Sequence, residues 1–268
     1  MKDFKGRTAV VTGAASGIGR ALALSFARRG MNLVIADIEP GPLEAALGEV
    51  SALGGEALGV PTDVASYESV QALAVAAYGR FGAVHVVCNN AGVSVGGPLQ
   101  EARHEDWQWV MGVNLWGVIH GVEAFVPRMV AGGQGGHVVN TASMAGLIAS
   151  QNLGVYNTTK YAVVGLSETL AKDLRGTGIG VSVLCPMGVA TNIRDSERNR
   201  PSHLGERYSQ RRQPDLLGRW IPPEEVAAQV LAAIEAERLF VVTHFEGKEF
   251  WERRARRIAE AFPPPPAE

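Results

Sequence analysis

Seven short apolar runs that do not alternate with polar residues constrain the fold of this chain most strongly. They read "TAVVTG", "NLVIAD", "EALGVPTD", "VHVVCNN", "HVVNTAS", "VSVLCP" and "RLFVVTH". A run that is apolar on both sides is typical of a strand in a parallel sheet covered on both faces. Helical periodicity fills the gaps between them, near residues 17–29, 41–53, 66–80, 104–131, 155–175 and 223–236. This alternation predicts an α/β fold, a doubly wound parallel seven-stranded sheet with helices on both faces.

Length and composition favour one domain over residues 1–262. The 268 residues are 46% hydrophobic and 19% charged, with a formal net charge of −2. A charge so close to zero gives no support for nucleic acid or an anionic membrane as a partner. No apolar stretch of about 18 residues is present, so we expect a cytoplasmic protein without a membrane span. The proline-rich end, residues 263–268, predicts a disordered tail.

Two cysteines, Cys88 and Cys185, each close an apolar run. Neither belongs to a CxxC pair, and no histidine cluster lies near them. We therefore expect two reduced, buried thiols and no metal site.

A glycine-rich segment, "TGAASGIG", follows the first predicted strand and opens the first predicted helix. Backbone amides and the helix dipole at such a position attract a pyrophosphate, which makes the predicted fold Rossmann-type. The glycine spacing, three residues and then one, differs from the G-x-G-x-x-G fingerprint. The segment predicts cofactor contacts at Gly13, Ser16, Gly17, Ile18 and Gly19.

Acidic and amide side chains come at the ends of the next predicted strands, which meet at one edge of the sheet. Asp37 ends the second strand, where a carboxylate can accept hydrogen bonds from an adenosine ribose and repel a 2′-phosphate. Neither Ser16 nor Ile38 is replaced by a compensating cation, so NAD is favoured over NADP. Asp63 and Asn89 are expected to end the third and fourth strands. The alternative is that Asp37 is an ordinary turn residue and does not bind the ribose.

Tyr156 and Lys160 share the apolar face of a predicted amphipathic helix. A lysine is rarely buried without a partner, so Lys160 either reaches solvent at the helix start or serves chemistry. Ser143, placed at the end of the fifth predicted strand, would converge with them on one edge of the sheet. A tyrosine acting as a base near neutral pH needs about 4 kcal/mol of phenolate stabilisation, which a nearby ammonium and a cationic nicotinamide could supply.

These motifs together resemble the short-chain dehydrogenase/reductase family in its compact single-domain branch. The resemblance rests on "TGAASGIG", "NNAG", Asn114 in "GVNLWGV", Ser143, and Tyr156 with Lys160, in order between about residues 5 and 192. It implies hydride transfer between NAD(H) and a secondary alcohol or ketone, with the sheet order 3-2-1-4-5-6-7. Tyr156 would exchange the proton, Lys160 would hold the nicotinamide ribose and lower the Tyr156 pKa, and Ser143 would hold the substrate oxygen.

The resemblance also implies further contacts with the cofactor and with water. Asn114 would fix a water of a proton relay. The remaining cofactor contacts would come from Asp63 and Val64 at the adenine, from Asn89 to Gly92 along the adenosine, and from Val189 and Thr191 at the carboxamide. A disulfide between Cys88 and Cys185 is disfavoured, because their strands would lie two steps apart, roughly 9.5 Å.

One departure from the family pattern concerns the substrate pocket. After the sixth strand the family usually has Pro-Gly, but Met187 stands in the glycine position here. The loops above the carboxyl edge are mostly apolar, which favours a bulky hydrophobic or aryl substrate over a sugar. The expected walls are Val95, Met144, Leu147, Leu153, Met187 and Ile193.

Other interpretations stay open at this point. The segment of about residues 192–220 is either a solvated loop or a lid over the substrate, and its arginines admit a substrate with a carboxylate. A non-catalytic NAD-sensing or scaffold protein could share the fold. Sugar-nucleotide epimerases share the Tyr and Lys but differ in glycine spacing and have a larger C-terminal domain. The resemblance implies a homotetramer, or a homodimer, through the helices at 104–131 and 155–175.

Overall fold

The computed structural model describes residues 1–205 and 219–265. All seven strands form one parallel sheet in the order β3-β2-β1-β4-β5-β6-β7. Their bounds are β1 Thr8–Thr12, β2 Asn32–Asp37, β3 Ala57–Pro61, β4 Val86–Asn89, β5 Gly136–Thr141, β6 Ile179–Cys185 and β7 Phe240–Val242. Because β1 pairs with both β2 and β4, the chain reverses its direction of growth across the sheet there, and a crevice opens at the carboxyl ends of those strands.

Eight α-helices accompany the sheet in the described residues. They are α1 Gly17–Arg28, α2 Pro40–Ser51, α3 Tyr67–Phe81, α4 His104–Met111, α5 Gly117–Gly132, α6 Gly154–Asp173, α7 Pro223–Glu235 and α8 Lys248–Ala259. Buried residues of α1, α2 and α7 form the core on one face of the sheet, and those of α3, α5 and α6 lie on the other. The uniform burial of β1 follows from this double cover. The predicted fold class is confirmed.

Three predicted boundaries are wrong in detail. The third strand ends at Pro61 and the fifth at Thr141, so Asp63 and Ser143 each lie two residues beyond a strand. The predicted helix 104–131 is divided by a π-helical turn, Gly112–Trp116. Such a turn inserts an extra residue into the helix and is frequent at functional sites. Its effect on the site is described below.

The helical run 104–132 is long and apolar enough to cross a membrane by length and composition alone. However, 56% of its most apolar window is buried inside the fold. A core helix meets the same criteria, and this one packs against the sheet through Phe125 and Met129. Both observations favour a core helix.

The two cysteines are free and buried, in agreement with the prediction. Strand β5 separates β4, which carries Cys88, from β6, which carries Cys185. At the C-terminus, residues 263–265 have no regular secondary structure, and the rest of the predicted tail lies outside the described residues.

Candidate active site

A cavity runs along the carboxyl edge of the sheet, from the end of β2 across β1 and β4 to the start of α6. Its lining includes most of the residues that the sequence places in a cofactor site: Gly13, Ser16, Gly17, Ile18, Asp37, Asp63, Val64, Gly92, Val189 and Thr191. Ser143, Tyr156 and Lys160 line its opposite end. One cavity therefore joins the predicted nucleotide site to the predicted catalytic side chains.

The glycine loop is shaped by close backbone approaches. Gly13 has φ +65°, and a Cβ on it would lie 2.8 Å from Ala91 Cα. Gly17 has φ +53°, and its Cβ would lie 2.9 Å from Thr191 Cγ2. Helix α1 begins there without a side-chain cap from Ser16, so its first-turn amides have no such partner. First-turn amides at the start of a helix suit an anion, which is the contact that the sequence predicts for this loop.

Asp37 is held by backbone amides at the end of β2. Its Oδ2 accepts a hydrogen bond from Ala15 N at 2.9 Å and its Oδ1 accepts one from Glu39 N at 3.1 Å. Burial raises the pKa of Asp37, while these hydrogen bonds lower it in part. Each carboxylate oxygen can accept a second hydrogen bond, which suits a ribose hydroxyl.

Lys160 is buried with a partner, which answers the question raised by its position on an apolar face. Its Nζ donates a hydrogen bond to Thr141 O at 2.8 Å and lies 5.5 Å from the centroid of the Tyr156 ring. Its exposed fraction is only 3%. The snorkelling alternative is therefore wrong, because the ammonium lies between the end of β5 and the ring.

Burial acts on both ionisable groups of this pair. It lowers the pKa of Lys160 from 10.5 to about 8. It raises the pKa of Tyr156, and a hydrogen bond with Ser143 offsets only part of that rise. The lowered tyrosine pKa expected from the sequence depends on Lys160 together with a cationic nicotinamide. In the chain alone, desolvation of the phenolate outweighs the favourable contacts.

Ser143 lies at the start of a short turn beyond β5. Its Oγ donates to Pro186 O at 3.3 Å and accepts from Ala145 N at 3.1 Å. These contacts tie the serine to the segment that follows β6, so its hydroxyl stays beside Tyr156. Ser143 thus converges with Tyr156 although it lies beyond the strand end.

Asn114 points into the core from the π-helical turn. Its Oδ1 accepts from Val93 N at 2.8 Å, and its Nδ2 donates to Val93 O at 2.9 Å. The side chain is fully buried and does not line the cavity. A Cβ on Gly92 would lie 3.4 Å from Asn114 Oδ1 and 3.6 Å from Lys160 Nζ, so the amide lies close to the lysine. The extra residue of the π-helical turn directs the Asn114 side chain toward the backbone of Val93.

Two predicted cofactor residues do not line the cavity. The Nδ2 of Asn89 donates to Asn140 Oδ1 at 2.9 Å inside the core, and its neighbour Asn90 lines the cavity instead. A Cβ on Gly19 would collide with Gly13 O, so this glycine permits the tight turn. Both corrections arise because neighbouring residues at a strand end or in a tight turn face opposite ways.

The predicted substrate walls are only partly right. Met187 and Ile193 line the cavity, whereas Val95, Met144, Leu147 and Leu153 do not. Met144 is buried where a Cβ on Gly247 would collide with its side chain, and Val95 packs on the cluster around Trp109. These loops fold onto other parts of the chain, which hides the apolar groups that the sequence assigned to the pocket.

Other residues line the cavity that the sequence analysis did not name. They include Trp109, Val113, Asn192, Ser196, Arg198, Asn199, Pro201 and Trp220. Trp220 lies two residues after the undescribed part of the predicted 192–220 loop, which ends at residue 218. The backbone beside it is fixed, since Ile221 N donates to Gly188 O at 3.0 Å and Ala190 N donates to Ile221 O at 3.0 Å. In the sequence, only the position of this aromatic residue beside a basic loop indicated that Trp220 could line the cavity.

Met187, which stands where the family has glycine, adopts an ordinary backbone. The two non-glycine residues with positive φ in the described chain are Asn152 and Glu237. Met187 therefore causes no left-handed strain, and its side chain contributes to the cavity wall. Across residues 1–205 and 219–265, no group of three or more His, Cys, Asp or Glu side chains is arranged to hold a metal ion.

Comparisons with known proteins agree with this architecture. A family model described as short chain dehydrogenase matches residues 7–202. A C alpha-dehydrogenase of Sphingobium sp. (strain NBRC 103272 / SYK-6) is 33% identical and covers 98% of this chain and 89% of its own length. A 1-deoxy-11-beta-hydroxypentalenate dehydrogenase of Streptomyces exfoliatus is 43% identical over 69% of this chain and 68% of its own. The crystal structure of a short chain dehydrogenase/reductase from Burkholderia phymatum in complex with NAD superposes with a TM-score of 0.91 at 42% identity, covering all of both chains.

Proposed function

The chain belongs to the short-chain dehydrogenase family of oxidoreductases, and on that premise we propose that it transfers a hydride between NAD(H) and a secondary alcohol or ketone. One observation carries the proposal: a buried ammonium, a phenol and a serine hydroxyl share a cavity with an anion cradle and Asp37. A structural role would not require these groups to meet at the carboxyl edge of the sheet. Ligand sites of such sheets lie at that edge.

The cavity fits NAD. The glycine loop would receive the pyrophosphate, Asp37 the adenosine ribose, Asp63 and Val64 the adenine, and Lys160 the nicotinamide ribose. When bound, NAD supplies the electrophilic carbon that accepts the hydride. In the reverse direction, NADH donates it. The Burkholderia phymatum relative, similar over its whole length, was solved with NAD. A carboxylate at position 37 disfavours NADP.

The chain's own side chains would manage the proton and the substrate oxygen. Ser143 would donate a hydrogen bond to that oxygen, and Tyr156 would take the hydroxyl proton in oxidation or return it in reduction. Because burial alone raises the Tyr156 pKa, ionisation near neutral pH needs added positive charge. The cationic nicotinamide and the Lys160 ammonium are the groups that would supply it. Asn114 acts as a positioning residue through the backbone of Val93.

The substrate end favours a bulky apolar or aryl alcohol. Met187, Ile193 and the half-exposed Trp220 present apolar groups to the same cavity as Tyr156. A polyol would leave hydroxyl groups without partners against such walls, which costs free energy. The two curated relatives act, by their names, as a C alpha-dehydrogenase and a dehydrogenase of a hydroxylated pentalenate, which supports an alcohol substrate here.

A screen of NAD reduction with structurally varied secondary alcohols tests the proposal. We expect turnover with aryl or other bulky apolar carbinols and little with sugars, and Tyr156→Phe serves as the inactive control. Nucleotide binding without turnover of any alcohol, by wild type and variant alike, would instead indicate an NAD-sensing protein. Failure to bind NAD at all would contradict the cofactor assignment.

We further propose a cytoplasmic homotetramer or homodimer. Trp116, between α4 and α5, is 50% exposed, which is unusual for so large an apolar side chain unless a partner covers it. Sedimentation analysis of the purified protein tests this, and a monomer at micromolar concentration would contradict it.

A further inference from the structure

A loop from the far side of the cavity is joined to the start of α2 by an ion pair. Arg198 Nη2 donates to Glu39 Oε1 at 2.7 Å, and its Nε donates to Glu39 Oε2 at 3.4 Å. Asn199 Nδ2 also donates to Glu39 Oε1, at 2.8 Å. All three residues line the cavity. Glu39 is thus the point at which the short helical turn Asn192–Asn199 meets the nucleotide end of the site.

The same arginine is fixed to its own turn. Arg198 Nη1 donates to Asp195 O at 2.8 Å and to Asn192 O at 3.3 Å. On the other side, Glu39 N donates to Asp37 Oδ1 at 3.1 Å. Glu39 therefore touches the ribose-binding carboxylate through its backbone and the arginine through its side chain. Glu39 therefore occupies the Nε and Nη2 edge of the guanidinium while this pairing holds.

Charge at this end of the cavity is set by three neighbouring groups. The hydrogen bond from Arg198 holds the pKa of Glu39 below its ordinary value, so the pair is ionised at neutral pH. With Asp37 ionised as well, the three groups carry one net negative charge. Among the described residues that line the cavity, Arg198 and Lys160 are the only cationic side chains, and Lys160 lies at the catalytic end.

We propose that Glu39 is a second cofactor-selectivity residue: by pairing with Arg198 it withholds this guanidinium, at the nucleotide end of the cavity, from a 2′-phosphate. From the sequence, a cation that could bind a 2′-phosphate was expected only at positions 16 and 38, where Ser16 and Ile38 stand. The structure supplies it from a loop far along the chain and neutralises it. This inference rests on the proposed use of NAD.

Glu39→Gln tests the pairing because it removes one negative charge and keeps the side-chain shape. We expect the affinity of the full-length variant for NADP to rise by about tenfold, since one repulsive charge is lost and Arg198 becomes available. Affinity for NAD should change by less than about threefold. Equilibrium titration of NAD and NADP with the purified proteins measures both constants without turnover. Glu44→Gln, an exposed glutamate of the same helix, is the control with the same change in net charge.

A double-mutant cycle identifies Arg198 as the receiver of the phosphate. If the account holds, Arg198→Gln abolishes the gain in NADP affinity when combined with Glu39→Gln. Arg198→Gln alone leaves Glu39 without its partner and should weaken NADP binding further, which tests the pair even if Glu39→Gln fails to fold. Hydrogen exchange of residues 193–199 in the nucleotide-free protein should accelerate in Glu39→Gln and not in Glu44→Gln.

These titrations distinguish a failure of the inference about Glu39 from a failure of the proposed function. If wild type binds NAD and Glu39→Gln shows the same NADP-to-NAD ratio as Glu44→Gln, this inference is wrong and the proposed function stands. If wild type binds neither nucleotide, the proposed function is wrong and the selectivity role of Glu39 falls with it.

Discussion

Replacing Lys160 with methionine should separate the stability of the fold from its chemistry. Methionine has a similar length and no charge, so Lys160→Met removes the buried ammonium and its hydrogen bond to Thr141 O. Burial lowers the lysine pKa from 10.5 to about 8. At about 1.4 kcal/mol per pKa unit, the charged lysine costs the folded state about 3 kcal/mol. Loss of the donor to Thr141 O costs about 1–3 kcal/mol in the opposite direction.

The two effects predict a variant at pH 7 that is as stable as wild type or more stable by up to about 2 kcal/mol, and that is inactive. The pH dependence isolates the charge. Below the pKa of Lys160 in the folded protein, about 8, the ammonium is present in both the folded and the unfolded state. Its burial then destabilises the fold by the full amount. Between about 8 and 10.5 the unfolded chain binds more protons than the folded one, so wild type gains about 3 kcal/mol relative to Lys160→Met as the pH rises.

Urea unfolding at a series of pH values from 7 to about 11 measures this difference. The control is Lys172→Met, which removes an exposed lysine from the same helix α6. Its difference from wild type should change by less than about 1 kcal/mol over the range. A difference between wild type and Lys160→Met that stays constant from pH 7 to 11 would refute the argument that the buried ammonium is strained.

Two further substitutions test the ends of the cavity. Trp220→Ala should raise KM for an aryl carbinol by about tenfold or more, because it removes a large apolar wall, and should leave the affinity for NAD within about threefold; an unchanged KM in steady-state assays would exclude Trp220 from the substrate site. Asp37→Ala combined with Ile38→Arg should shift preference from NAD toward NADP, because the repelling carboxylate is replaced by a cation beside it. Equilibrium titration checks this, and a variant still selective for NAD would refute the role of Asp37.

The sheet and the glycine loop could be predicted from the sequence because their signals are local. A run such as "TAVVTG" is buried on both faces wherever it lies in a parallel sheet, and positive φ at Gly13 and Gly17 accompanies a turn that the spacing already indicates. Tyr156 and Lys160 share a helical face by counting alone. The tight glycine turn and the proximity of Tyr156 to Lys160 therefore appear in the structure.

Most walls of the pocket could not be predicted, because they depend on how loops pack on distant parts of the chain. Met144 lies three residues after the end of β5, yet its side chain lies against Gly247, near the start of α8. The contact between Glu39 and Arg198 likewise joins residues far apart in sequence. The electrostatic balance at Tyr156 could not be predicted for a related reason: spacing shows that the lysine is near, whereas burial raises the Tyr156 pKa in the chain alone.

Turnover of an accepted alcohol by Tyr156→Phe, measured beside the affinity of the same protein for NAD, tests the central role of the phenol most directly. The account predicts a loss of at least about 10²-fold in kcat, because the group that exchanges the proton is gone. It also predicts an NAD affinity within about threefold of wild type, since removing the hydroxyl leaves the cradle and Asp37 intact. A variant that oxidises the alcohol at the wild-type rate would contradict the assignment.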